Sequence, residues 1–154
     1  MKKLKGFTLI ELIIVIAVIA VIAAMLVPSM IGYVVRSKLS TANANAKLVY
    51  NATDHYCVEC MSKGYTVDDS VVAFDMKWIN NTPDTVVYDG VHIGEAVRST
   101  VGSGGQNAGI FSVKINDNLP ERSAWARTQN DHYIGTFPIL TTEPSDDVMS
   151  DLQM

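Results

Sequence analysis

The sequence predicts an α+β fold: one long N-terminal helix with a small antiparallel β-sheet packed on its C-terminal half. Three observations lead there. Between Phe7 and Val35, 24 of 29 residues are apolar and the single charge is Glu11. From residue 36 to 62 the helical period continues without a break but turns amphipathic. Beyond Gly64 come short alternating segments separated by Gly, Asn and Asp turn signals.

The 154-residue chain therefore joins two materials in series, since from Arg36 onward only 48 of 119 residues are apolar. Its length suits one modest domain. An unbroken apolar run from Leu12 to Val27 has no place on a small globular surface, so a soluble cytosolic enzyme is excluded as the starting point. Trp78, Trp125, three of the four Phe and most of the six Tyr lie in the second part, which argues against long disorder. The formal charge is −4, and a chain without Lys2, Lys3 and Lys5 would carry −7. The nine remaining Lys and Arg are scattered, whereas a nucleic-acid footprint needs clustered cations, so no specific nucleic acid is expected.

Residues 1–6 are a short basic leader, and the apolar stretch after them reads as a signal-peptide core or as a membrane span. Phe7 to Val27 would make roughly 31 Å of helix, close to the hydrocarbon thickness of about 30 Å and about twice a secretory h-region. Ala20, Ala23 and Ala24 leave an ordinary signal-peptidase site as the alternative. The leader should stay cytoplasmic while the C-terminal part is exported, although Arg36 and Lys38 on the far side weaken the asymmetry.

A carboxylate at Glu11, so early in the span, costs about 2.5 to 3.5 kcal/mol on insertion scales. It needs a partner or a proton, and no Lys, Arg or His lies between it and Val35. A cut between Gly6 and Phe7 would expose a cationic amine near the same membrane face, on this chain or a neighbour, and such a pair would set the register of adjacent helices. Snorkelling or protonation of Glu11 is the other reading.

The order of these features, Gly6-Phe7-Thr8-Leu9-Ile10-Glu11 after a Lys-rich leader and before an uninterrupted apolar helix, resembles the class III signal of type IV pilins and their relatives. The resemblance covers residues 1 to about 35. It implies removal of residues 1–6 by a prepilin peptidase cutting after Gly6, N-methylation of Phe7, and pairing of Glu11, in the Thr8–Glu11 segment, with a neighbour's Phe7 amine during assembly. It further implies a homo-oligomeric helical filament, an assembly platform with its ATPase, residence in the cytoplasmic membrane before assembly, and a cell-surface fibre afterwards, with adhesion or twitching motility among its uses. A pseudopilin of a type II secretion system shares this N-terminus. A membrane-anchored adhesin or enzyme that borrows the signal is the rival from a different class.

Pro28 removes a helical hydrogen bond and Gly32 adds ~1 kcal/mol of unfavourable propensity, so the helix is expected to bend or unwind locally there. The plainer reading is a tolerated kink. The resemblance adds loosening near this proline in a filament. Val35, Leu39, Ala42, Ala46, Val49, Thr53, Tyr56, Cys57 and Cys60 share one helical arc, with Ser37, Ser40, Ala44, Asn51, His55 and Ser62 opposite. Gly64 is the expected C-cap of a helix of about 56 residues.

The expected organisation is thus a removable leader 1–6, a transmembrane and assembly helix 7–35, and a globular part 36–154 with amphipathic helix 36–62 and a solvated acidic tail 141–154. Within the globular part we expect a short helix over Asp68–Ile79, with a strand as alternative, a loop at Asn80–Asp84, and a helix at Gly94–Val101. Strands are expected at Ile110–Ile115, Ser123–Thr128 and His132–Ile139, for a three- or four-stranded sheet. Pilin-like domains are built this way, a resemblance here of architecture alone.

Cys57-Val-Glu-Cys60 is first a pair of core thiols and second a disulfide closing after export. A metal site is disfavoured, because His55 points some 150° away on the same helix. No nucleophile motif surrounds any Ser or Cys, His92 and His132 stand alone, and Gly102-Ser-Gly-Gly105 lacks the ending of a phosphate loop. Asn116-Asp117-Asn118 with Glu121 departs from calcium-loop spacing and reads as a turn. No catalytic residue, cofactor or metal is expected.

Overall fold

The computed structural model describes residues 7–67, 71–74, 87–88, 91–102, 109–128 and 130–145. Helix α1 spans Leu9–Ser62, followed by strands β1 (Val71–Phe74), β2 (Val87–Tyr88) and β3 (Val91–His92), helix α2 (Ile93–Val101), and strands β4 (Ile110–Asn116), β5 (Leu119–Ala126) and β6 (Gly135–Phe137). The chain divides into two compact units, 1–36 and 37–154.

In the first unit, every described residue up to Val34 is exposed. The helix continues through Pro28 and Gly32, so the unwound alternative expected there is absent from the single chain. A helix of this length loses one hydrogen bond at a proline while its neighbouring turns keep theirs. Ser29, next to the proline, donates its hydroxyl back to the Leu26 carbonyl at 2.8 Å.

In the second unit, α1 presents the predicted arc to the core. Leu39, Ala42, Ala46, Val49, Thr53, Cys57 and Cys60 are buried, together with Ala52, while Ser37, Ser40, Ala44, Asn51, His55 and Ser62 are exposed. The helix ends in a Schellman motif, in which the Tyr65 N–H donates to the Cys60 carbonyl at 3.0 Å and the Gly64 N–H to that of Met61 at 3.0 Å. Gly64 supplies the required positive φ of 82°.

The main sheet has four antiparallel strands in the order β1-β4-β5-β6, and β2 and β3 form a separate two-stranded ladder. Strands of two residues carry no readable period, which is why this ladder has no counterpart among the expected elements. β4 and β5 form a hairpin closed by Asp117 and Asn118, with φ of 51° and 64°, the backbone of a type I′ turn. Asn118 also accepts a hydrogen bond from the Val67 N–H at 2.8 Å. Phe111, Val113 and Ile115 of β4 and Trp125 of β5 meet Ala42, Ala46, Val49, Cys57 and Cys60 of α1 in one apolar cluster, with Val67 and Val97 closing it.

The expected helix over Asp68–Ile79 is corrected at Val71–Phe74, which is strand β1, paired in register with Lys114 through Phe111. A Val-Val-Ala-Phe run suits a pleated ladder, and the free edge of β4 offers its backbone partners. The remaining parts of 68–79, the loop at Asn80–Asp84 and residues 103–105 lie outside the described residues. The two later strands are shifted: β5 begins at Leu119 and ends at Ala126, and β6 keeps only Gly135–Phe137 of His132–Ile139.

The tail also departs from expectation at its start. The Asn43 amide donates to the Thr141 carbonyl at 2.8 Å and accepts from the Thr141 N–H at 3.2 Å, and the Ser145 N–H donates to the His132 carbonyl at 2.8 Å. The backbone of residues 141–145 is thus tied to the fold by the Asn43 amide and the His132 carbonyl, partners that no sequence pattern announces. Asp146, Asp147 and Asp151 lie outside the described residues.

Candidate functional site

Thr8 and Glu11 open α1 as a reciprocal capping box. The Glu11 Oε2 accepts the Thr8 N–H at 2.8 Å and the Thr8 hydroxyl at 2.6 Å, while the Glu11 N–H donates to the Thr8 Oγ1 at 3.3 Å. The Thr8 carbonyl takes the first helical bond, from the Leu12 N–H at 3.3 Å. Thr-x-x-Glu ahead of an apolar run is the sequence signal for this arrangement, a capping role for Glu11 that charge and burial by themselves do not suggest. The box binds the same carboxylate whose burial is costly, and one of its oxygens is thereby satisfied inside the chain.

Phe7 stands just before this cap and is exposed. Gly6 lies outside the described residues. Behind the cap, α1 is long and apolar enough to cross a membrane, and its apolar side chains from Leu9 to Val34 are exposed among the described residues. Such a stripe on every side of a helix is a surface for lipid or for other helices. Pro28 and Gly32 sit within it as ordinary helical residues, and a Cβ on Gly32 would meet nothing within 4 Å.

The other candidates disperse. Cys57 and Cys60 are free thiols buried in the core, not a disulfide. Burial pushes the Cys57 thiol up to about 12, with Cys60 and Asp54 adding to it, and burial likewise raises Cys60. Thiols held protonated in this way are poor nucleophiles. His55 is exposed, stacked edge-on against Tyr56 with centroids 5.7 Å apart, and His132 Nδ1 lies 2.9 Å from the Ser145 carbonyl oxygen. The side chain of His92 lies outside the described part. Among the described residues no cluster of three His, Cys, Asp or Glu gathers as a metal site. Glu121 is paired with Lys114 at 2.9 Å, which ties it to the neighbouring strand.

One long helix packed under an antiparallel sheet, headed by a capped acidic start and an exposed apolar stripe, defines a pilin-like α+β protein. Residues 1–27 match the family described as the prokaryotic N-terminal methylation motif, which supports a protein of the type IV pilin and pseudopilin kind. Comparison with curated proteins and with solved structures returned no match.

Proposed function

We propose that the chain is a structural subunit of a type IV pilus, cleaved after Gly6, methylated on Phe7, and polymerised through its apolar helix into an extracellular filament. The observation that carries this reading is the Thr8–Glu11 box at the head of an exposed apolar helix, next to a Gly6-Phe7 junction. Thr8 engages one carboxylate oxygen, and the other has no partner among the described residues. An incoming α-amine on Phe7 of a neighbour would find an acceptor already oriented and would add the missing charge. Contact between apolar helices supplies the adhesion, and the ion pair supplies the register.

The globular unit, with its sheet closed over α1, would decorate the fibre and carry whatever surface chemistry the filament uses. We propose no catalytic role.

Substitutions at Glu11 separate capping from charge. Glu11→Gln keeps a capping-box acceptor, whereas Glu11→Ala or Glu11→Val removes it. All three should be inserted and cleaved normally and should fail to build filaments, because each leaves an amine unpaired at a cost of about 3 to 5 kcal/mol per contact. Mass spectrometry of sheared surface material provides the readout. The expected parent peptide begins at Phe7 with one added methyl and is abundant in that fraction. Normal filament yield from Glu11→Gln sinks the pairing role. A processed and methylated chain confined to the envelope identifies a pseudopilin instead.

A further inference from the structure

A groove of about 750 Å³ opens in the second unit beside the beginning of the amphipathic half of α1. That volume falls within the range of small-molecule sites, roughly 300 to 1,000 Å³. One wall is helical: Ser37, Thr41 and Asn45 recur every four residues and line it as a polar stripe, with Lys38 alongside. Arg127, immediately beyond β5, stands across from them among the lining residues.

Its lining sets this groove apart from an ordinary solvated dip. The Lys38 Nζ lies 4.5 Å from the centroid of the Tyr133 ring, so the ring face positions this cation at the wall. Among the described residues, neither Lys38 nor Arg127 takes part in an ion pair. The lining also includes one carboxylate, Asp131, whose Oδ1 accepts the Tyr133 N–H at 3.2 Å, so its charged side chains, Lys38, Arg127 and Asp131, sum to a net +1. Gly109 keeps the indole edge of Trp125 next to the space, since a Cβ there would fall 2.6 Å from both Cε2 and Nε1 of that ring, and its φ of 68° suits glycine.

We propose that this groove binds an acidic saccharide, a hydroxyl-rich ring bearing a carboxylate. The two cations select a negative group. The hydroxyls of Ser37 and Thr41 and the amide of Asn45 match a ligand that carries many donors and acceptors. The Thr41 hydroxyl donates to the Ser37 carbonyl at 2.9 Å, which leaves its oxygen able to accept from a ligand. A bare phosphate would leave most of the groove empty. A nucleic acid would need more clustered cations than two.

The test is isothermal titration of the full chain, held in an uncharged detergent without a sugar headgroup, at low ionic strength. The probe is trigalacturonic acid, with maltotriose as the neutral comparator and inorganic phosphate as competitor. The expected result is one site per chain, weakened about tenfold by Lys38→Ala and again by Arg127→Ala, and unchanged by Lys114→Ala, a lysine outside the groove. Maltotriose should bind much more weakly. No binding of trigalacturonic acid, equal binding of maltotriose, equal loss in Lys114→Ala, or displacement by equimolar phosphate overturns the proposal. Filament assembly plays no part in this measurement, so its failure leaves the pilus reading standing.

Discussion

Cys57 and Cys60 show how a residue's neighbours decide its chemistry. Both lie in the apolar arc of α1, and both are packed against the sheet with essentially no exposure. Burial favours the neutral thiol, so the folded state holds these protons more tightly than the unfolded chain, whose cysteines titrate near the ordinary value of 9.0. The stabilisation is fully present below pH 9 and is lost as the pH climbs from there toward about 12. Thermal unfolding followed by circular dichroism should therefore show a flat midpoint from pH 7 to near 9 and a fall above it. In Cys57→Ala that fall should be reduced, even though the cavity lowers the midpoint at every pH. The arc that buries these residues is legible in the sequence by period alone. That they are thiols without a bond required the fold. The Thr8–Glu11 box sits at the opposite extreme, since its signal is wholly local and readable as Thr-x-x-Glu.

At the scale of elements, the contact between α1 and the edge of the sheet is made by small groups. Ala42 and Ala46 leave room on the helix, Ser123 of β5 donates its hydroxyl to the Ala46 carbonyl at 2.8 Å, and Gly135 of β6 rests on the helix backbone. A Cβ at Gly135 would collide with the Ala42 carbonyl group and the Asn43 nitrogen, and backbone cannot move aside as a flexible side chain can. Gly135→Ala should therefore cost about 3 kcal/mol or more of stability, measured by chemical unfolding, and should detach β6 first. The end of α1 and the β4–β5 turn are legible because Gly64 and the Asn-Asp-Asn cluster are local signals. Strand β1 is not, since a four-residue apolar run suits helix or strand until an edge is available to pair with it. The start of the acidic tail escapes the sequence for the same kind of reason. Asn43 holds Thr136 and Thr141 from 93 and 98 residues away along the chain.

For the whole molecule, the two units expose different kinds of surface. Unit 1 keeps its apolar side chains outward along the helix, while unit 2 buries a mixed α/β core of its own. The isolated full chain should therefore stay monodisperse only in detergent and associate when detergent is withdrawn, as size-exclusion chromatography with light scattering would show. A monomer stable in plain buffer would contradict the assignment of residues 7–35 to lipid or to helix–helix contact.

Residue order alone specifies the long helix, its apolar and amphipathic halves, its capped end and the N-terminal methylation motif of residues 1–27, because each depends on residues near one another in the chain. The strand at Val71–Phe74, the anchoring of residues 141–145, the fate of the two thiols and the groove around Lys38 and Arg127 emerge only when the chain is folded. Each of those depends on groups far apart in the chain, and long-range pairing leaves no periodic mark on the segments that take part.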